Sequence, residues 1–368
     1  MLTRVYINNF RCLVDFEFRP GRRQLIMGAN GSGKSSFMDT LLFLRRLLVL
    51  RQNLERHNNT LDQRTTWLNL SNQTFEVEVV LDDSNYLYRL EIEPFGDPEK
   101  PRVHSESVKF EGQPIFDFRA GEVHLFDDEF QHKVAYPFEP DRSALAASES
   151  RDNRKLTRFK NWVRHLFVFR LNPFNMKALA KGEDSDPYFD LSNFAGWYRH
   201  LVQSAPRESR NLLENLRAAL DSFEILQFSE AVESMRLLSC LFLPGNGPDV
   251  RMSFDQLSDG QRCLIGLYTI LEFVIAAGHT VILDEPDNFI ALREIQPWLS
   301  AVSDSIDENN GQVLIISHHP EILDQWAPSY GMRFTRDKMG PVRVQEFDGE
   351  TYSSLTPSEI VARGWENE

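Results

Sequence analysis

The run Gly28-Ala-Asn-Gly-Ser-Gly33-Lys34-Ser35 constrains this chain more than any other stretch. Its spacing of glycine, four residues, glycine, lysine and hydroxyl lets a turn of backbone N–H groups close around a polyphosphate. The flanks agree with that use. Leu25-Ile-Met27 enters as an apolar strand, and Ser35 to Leu50, rich in Leu and Phe with no Pro or Gly, leaves as a largely buried helix. An ordinary glycine turn before a helix is the alternative, and the strand, loop and helix together oppose it. On this reading Asn30, Gly31, Ser32, Gly33, Lys34, Ser35 and Ser36 surround the phosphates. Lys34 reaches the β and γ groups as a point charge, and the Ser35 hydroxyl holds Mg²⁺.

Leu2 to Asn8 alternates as a strand does, and Asp15 to Arg19 and Gln24 to Met27 read as two more. Residues 52 to 72 are polar and Asn-rich without a period, which predicts a mobile loop. Thr74 to Glu93 reads as two strands about a turn at Asp82 to Asn85, and short strands continue to Tyr136, giving an antiparallel sheet. Beyond Pro140 the texture is helical, with candidates at Arg154 to Phe167, Leu191 to Gln203 and Arg207 to Phe223. They form an inserted arm without the heptads of a long coiled coil. From Met252 onward, strands at Thr280 to Leu283 and Gln312 to Ser317 each follow a helix, as βαβ connections require. The apolar stretch from Cys263 to Leu283 has the length of a membrane span, but Glu272, Gly278 and His279 interrupt it, and it reads as a buried helix followed by a buried strand.

The expected fold class is therefore α/β, with a mixed and largely parallel core sheet, an antiparallel β lobe and an inserted helical arm. The expected division is a first lobe at 1–140, the arm at 141–250 and a second lobe at 251–368. A chain of 368 residues has room for two or three such units.

Charge narrows the partners. With 40 basic and 54 acidic residues the net charge is −14, which opposes nucleic-acid binding through bulk charge. Arg142, Arg151, Arg154, Lys155, Arg158, Lys160 and Arg164 still form a basic run, either a solvated face or a phosphate-binding one. Cys12, Cys240 and Cys263 make no C-x-x-C pair, and the polar N-terminus lacks the apolar core of a signal peptide. A cytoplasmic protein with no membrane contact is the expectation.

Two further motifs carry chemistry. Val281-Ile-Leu-Asp284-Glu285-Pro286 is an apolar strand ending in paired carboxylates: Asp284 to bind the metal through water, Glu285 to polarise an attacking water. Leu257-Ser258-Asp259-Gly260-Gln261 opens the apolar helix before that strand. Ser258, Gly260 and Gln261 there offer a hydroxyl and exposed N–H groups to an anion, or form a plain N-cap.

In this order, the loop, the Leu-Ser-x-Gly-Gln run, the acidic strand and Val313-Leu-Ile-Ile-Ser317-His318 resemble the Walker A, signature, Walker B and switch-histidine elements of the ABC ATPases. Within that superfamily of P-loop nucleoside triphosphatases the chain is similar to the SMC, RecF and Rad50-like branch. It is most similar to short bacterial AAA-family ATPases related to the OLD nucleases. Ile7-Asn-Asn-Phe10-Arg11 and Ser317-His-His-Pro-Glu-Ile-Leu-Asp324 carry that narrower likeness. The resemblance implies ATP and Mg²⁺ as ligands and a homodimer, or a higher even oligomer, closing around ATP. Ser258 and Gly260 would then contact the γ-phosphate held by the other subunit and His318 that of its own site. Asn288 to Ala291 would form the loop that crosses the interface. Asp259 departs from the usual glycine and adds charge near ATP, and the metal-sensing glutamine stays open among Gln73, Gln113 and Gln131. A metal held by His318 and His319 together is disfavoured, because neighbours at a strand end point to opposite faces. Arg11 either reaches the nucleotide or makes a surface salt bridge.

Three outputs follow from the resemblance. The first is regulation of a separately encoded nuclease or toxin in bacterial defence against phage. The second is a RecF-like DNA-repair clamp, with DNA as ligand. The third is an assembly scaffold with little turnover. The acidic balance opposes the second and the intact Glu285 the third.

Overall fold

Leu2, Val5 and Ile7 are buried along β1 (Leu2–Asn8), and this alternation starts a half-buried sheet at the first residues. The structure, a computed structural model, describes residues 1–55, 60–148, 153–231, 234–245, 247–348 and 355–364. They divide into two units, Met1–Phe167 with Tyr330–Asp348, and Val168–Ser329 with 355–364.

In the first unit, β1 is followed by β2 (Phe16–Phe18), β3 (Arg23–Met27) and helix α1 (Lys34–Leu48). Six strands come next: β4 (Gln73–Leu81), β5 (Ser84–Phe95), β6 (Lys100–Phe110), β7 (Gln113–Arg119), β8 (Glu122–Phe126) and β9 (His132–Pro137). Helices α2 (Ala144–Ala147) and α3 (Arg154–Arg164) close the run. The antiparallel sheet is wider than the sequence implied. Its order β2-β1-β4-β5-β6-β7-β8-β9 takes in the two N-terminal strands as well.

The chain then passes through β10 (Leu166–Phe169) into the second unit, with β11 (Leu179–Ala180), α4 (Phe194–Ser204), α5 (Pro206–Ala219), β12 (Phe223–Glu230), β13 (Arg236–Phe242) and β14 (Val250–Ser253). Helix α6 (Asp259–Ile270) runs into a π-helical turn at Leu271–Ile275. Strand β15 (Thr280–Asp284), helix α7 (Leu292–Asn309), strand β16 (Gln312–Ile316) and helix α8 (Pro320–Tyr330) follow. β15 and β16 are parallel, and every residue of both is buried, which explains their unbroken apolar sequences. β17 (Gly331–Arg336) and β18 (Val342–Glu346) return to the first unit, where β17 lies parallel to β3 and β18 antiparallel to β17. Helix α9 (Pro357–Ala362) belongs to the second unit, where the backbone N–H and hydroxyl of Ser358 donate to Asp324.

The region 141–250 is less helical than its sequence implied. α3, α4 and α5 are present, but β10 to β13 stand between and after them. Phe223, taken as the tail of a helix, begins β12 after Ser222 turns the chain at φ 61°. β12 is mostly half-buried and β13 buries Leu238, Ser239 and Cys240 in a row, so the period-2 signal is weak in both. The stretch 263–283 behaves as read: helix, then a stop at Gly278 with φ 76°, then strand. Among the described residues no helix is long and apolar enough to cross a membrane.

Two packing features fix the region around the loop. Phe37 of α1 meets Phe18 and Phe334 edge-on at 5.2 and 5.8 Å between ring centres, and Phe16 closes the cluster. Such pairs each add about 0.5–1.5 kcal/mol beyond area burial, so they hold the first turn of α1 in place. Asn9, fully buried at φ 61°, donates to the carbonyls of Leu70 and Asn72 and accepts from the Thr65 N–H. Asparagine tolerates the left-handed region better than most residues, so the Asn-Phe-Arg opening has a structural reason. It also ties down the described part of 52–72, expected to be mobile, which further contains a 3₁₀ turn at Thr60–Gln63.

The basic run is engaged locally. Arg158 pairs with Asp82, Arg142 with Asp141, Lys160 donates to the Leu145 and Ser148 carbonyls, and Lys155 lies over Phe110 and Phe130. Arg151 lies outside the described residues. Burial pushes the Cys240 and Cys263 thiols up to about 12, so both stay protonated and inert.

Asn9→Ala removes three buried hydrogen bonds and leaves alanine at a positive φ. The expected loss is about 2–3 kcal/mol, read from urea unfolding, with faster proteolysis between residues 60 and 72.

Candidate functional site

In the first unit the glycine-rich loop has the form of an anion cradle. Gly33 caps α1 at φ 102°, with no side-chain hydrogen bond to the cap and no acidic residue in the first turn. The helix therefore ends in N–H groups and positive dipole with no internal anion opposite them. Glycine is required at two of the loop positions. A Cβ on Gly28 would stand 2.2 Å from the Phe334 carbonyl oxygen, and one on Gly33 2.5 Å from Val342. Lys34 is buried and donates to the carbonyls of Gly28 and, at 3.1 Å, Ala29, so its ammonium is folded into the loop. The buried Ser32 hydroxyl has no hydrogen-bond partner. Asn30, Gly31 and Ser35 are exposed, and Ser36 is half-buried and accepts from the Cys12 thiol. An orphaned hydroxyl, a buried ammonium and an uncapped helix start fit a polyphosphate. The exposed Ser35 hydroxyl is a hard oxygen donor suited to Mg²⁺.

Arg11 makes the salt bridge, to Asp39 at 2.5 Å, and also bonds Gln63 at 2.7 Å.

In the second unit three loops meet at the start of α6. Ser258 is the exposed N-cap of that helix, in a capping box with Gln261 whose two bonds are 3.0 and 3.2 Å. The plain N-cap is thus real, and it leaves the hydroxyl proton at the surface. Gly260 is needed for close approach, since a Cβ there would lie 2.6 Å from the Phe289 carbonyl oxygen. The charge of Asp259 is met by Arg262 at 2.5 Å, which also donates to the Pro173 carbonyl.

Asp284 ends β15 and is only 6% exposed. Glu285 follows at φ 48°, exposed, with its backbone N–H bonded to the Ile316 carbonyl and its carboxylate accepting from Asn288. A bulky residue in the left-handed region marks local strain of the kind held at reactive positions. The loop onward through Asn288, Phe289 and Ala291 is exposed apart from Ile290. Phe289 meets Phe174 edge-on, and both rings are at least half-exposed. Ser317 donates to Asp287 at 2.6 Å and accepts from the His319 N–H. His319 Nδ1 accepts from Glu321 at the start of α8 while His318 is exposed, so the two histidines have separate environments. Among the described residues no group of three or more His, Cys, Asp or Glu is placed to hold a metal.

Sequence reasoning missed one residue. Of the glutamines considered for metal sensing, Gln73 is buried and donates to the Asn9 carbonyl, Gln113 begins β7 and Gln131 precedes β9, all in the first unit. The side chain on Asp284 is Arg170, with Nε at 2.6 Å and Nη2 at 2.5 Å from Oδ2. Its signal was the apolar run Leu166-Phe-Val-Phe169 just before it, partly read as the end of a helix.

The family AAA_21, described as "AAA domain, putative AbiEii toxin, Type IV TA system", matches residues 25–324. No curated protein matches the chain. An SMC head solved bound to the C-winged helix domain of ScpA is 14% identical, with 96% of this chain and 99% of that one covered at a TM-score of 0.57. An SMC head with an extended coiled coil, bound to the C-terminal domain of ScpA derived from Pyrococcus furiosus, is 11% identical, with 99% of each chain covered at 0.53. The SMC head domain from Thermotoga maritima is 12% identical, with 94% and 99% covered at 0.49. At such identity the first two show the fold alone, the mixed α/β P-loop fold of SMC head ATPase domains, as the sequence motifs implied.

Gly260→Ala would force the Phe289 carbonyl aside, at an expected loss of about 1–3 kcal/mol. Gly31→Ala, which meets nothing within 4 Å but sits at φ 81°, loses about 1 kcal/mol. Thermal unfolding of the two variants checks the order.

Proposed function

The chain belongs to this AAA-domain family, and on that premise we propose that it binds ATP with Mg²⁺, dimerises around the nucleotide and hydrolyses it. The observation that carries the reading is the loop itself: an uncapped helix start, a buried lysine and an unpartnered serine hydroxyl in one turn of backbone. Lys34 holds the β and γ phosphates, and the loop N–H groups neutralise their charge. Ser35 and Asp284 would hold Mg²⁺, which screens the phosphates and orients them when bound. Glu285 takes a proton from the attacking water, and its lean toward Asn288 fixes the carboxylate for that task. His318 contacts the γ-phosphate.

ATP held by one copy offers its γ-phosphate to Ser258 and Gly260 of a second copy, whose helix dipole favours the anion. The exposure of Ser258, Asn288 and Phe289 supports that role. Hydrolysis removes the shared anion, so nucleotide state becomes a conformational signal.

The output we infer is control of a separately encoded nuclease or toxin in bacterial defence, in the cytoplasm. The family's description as AbiEii-associated within a type IV toxin system supports this. So do the solved heads of the same fold that carry a partner's domain. The acidic balance of the chain, and the local contacts of Arg142, Lys155, Arg158 and Lys160, favour this reading over a DNA clamp.

Glu285→Gln is expected to lower turnover by about a hundredfold or more and to trap an ATP-bound dimer. Light scattering with and without saturating ATP reads the mass, and an unchanged monomer counts against the sandwich. Lys34→Ala and Ser258→Arg are expected to abolish turnover, Lys34→Ala by losing nucleotide and Ser258→Arg while still binding it, as equilibrium binding of a fluorescent ATP analogue would show.

A further inference from the structure

We propose that Arg170 is the counter-ion of Asp284 in the nucleotide-free chain, and that it must leave that carboxylate before a divalent cation is accepted there. The proposal rests on the reading of Asp284 as the cation's carboxylate.

Asp284 is a buried acid, its side chain 7% exposed, and a buried carboxylate needs a compensating charge. Arg170 supplies it. Both contacting nitrogens converge on Oδ2, at 2.6 and 2.5 Å, rather than spreading over two oxygens as in a fork-to-fork pair. A guanidinium at this distance and a divalent cation on the same carboxylate repel one another. The two positive charges therefore compete for the carboxylate.

Arg170 is built to move at its side chain. That side chain is 43% exposed. The backbone is fixed: its N–H donates to the Phe189 carbonyl at 2.8 Å, and the Asn172 N–H to that of Asp190 at 3.2 Å. Three residues after Arg170, Arg262 grips the Pro173 carbonyl at 2.6 Å. Rotation about the side-chain bonds releases Asp284 without unravelling the segment.

The opposite role, a permanent brace that orients Asp284 for the metal, gives the opposite sign on removal. A competitor lost strengthens cation binding, whereas a brace lost weakens it. The test is the Mg²⁺ concentration at half-maximal equilibrium binding of mant-ATP, in chelator-buffered solution with the full chain. For Arg170→Ala this midpoint is expected to fall about five- to tenfold, with Arg170→Lys between it and the wild type. Asp284→Asn in the Arg170→Ala background is expected to remove the gain. Arg170→Gln, also uncharged, gives the same direction and serves where the alanine variant fails to fold. An unchanged or raised midpoint in a variant with a wild-type circular dichroism spectrum overturns the proposal while leaving the ATPase reading intact. Absence of Mg²⁺-dependent binding in the wild type overturns that reading, and the role of Arg170 with it.

Discussion

The first turn of an α-helix carries N–H groups that nothing within the helix can satisfy, and α1 leaves them facing a glycine turn with no side-chain cap and no acid. The first unit is organised around that electrostatic deficit. The Phe16, Phe18, Phe37 and Phe334 cluster anchors the helix from below. Glycines at 28 and 33 let β17 and β18 pass within a carbon's width of the loop. Lys34 adds a buried positive charge that loop carbonyls hold in place. A site of this kind is attractive to a polyphosphate before any ligand arrives, because rigid packing has already fixed its dipoles.

The second unit manages charge differently, by pairing each acid near the start of α6 with a local partner. Asp259 has Arg262, Asp284 has Arg170, Asp287 has Ser317 and Glu285 has Asn288. Only the pair at Asp284 joins a buried carboxylate to a guanidinium. The pair at Glu285 is a neutral–ionic hydrogen bond, with the Asn288 amide donating to the carboxylate. Strain at the same residue, φ 48°, keeps it on the exposed side of the strand end.

How much of this was legible depended on the kind of signal. Fixed spacing gave the loop and the helix after it, and unbroken apolar runs gave β15 and β16, because full burial of a parallel pair writes itself plainly in sequence. β12 and β13 were missed since their buried residues do not alternate. The tie from Asn9 to the 60–72 segment was invisible because one side chain holds a stretch that has no period. Arg170 was missed for a sharper reason. A lone arginine has no spacing rule, and only the fold brings it 114 residues along the chain to Asp284. Asp259 illustrates the converse: the sequence showed an added negative charge, while the helical i, i+3 neighbour that neutralises it was already three residues away.

Coupling between distant events needs an element with two arrangements that both sites bias. Inside the second unit, a continuous path of contacts runs from Asp284 to Arg170, along the backbone to Pro173, across its carbonyl to Arg262, and so to Asp259 beside Ser258. The stretch from Arg170 to Asn172 is held by backbone hydrogen bonds, and the other links are side-chain contacts. The Arg170 side chain is half-exposed, as are Asn172 and Asp259. These contacts place the Arg170 guanidinium and the start of α6 in one network of the second unit. The close fit of Gly260 against the Phe289 carbonyl supplies a second short link from the acidic strand's loop to the same helix end. Two links of different chemistry, one electrostatic at Asp259 and one steric at Gly260, thus lie directly after the exposed Ser258 N-cap in sequence.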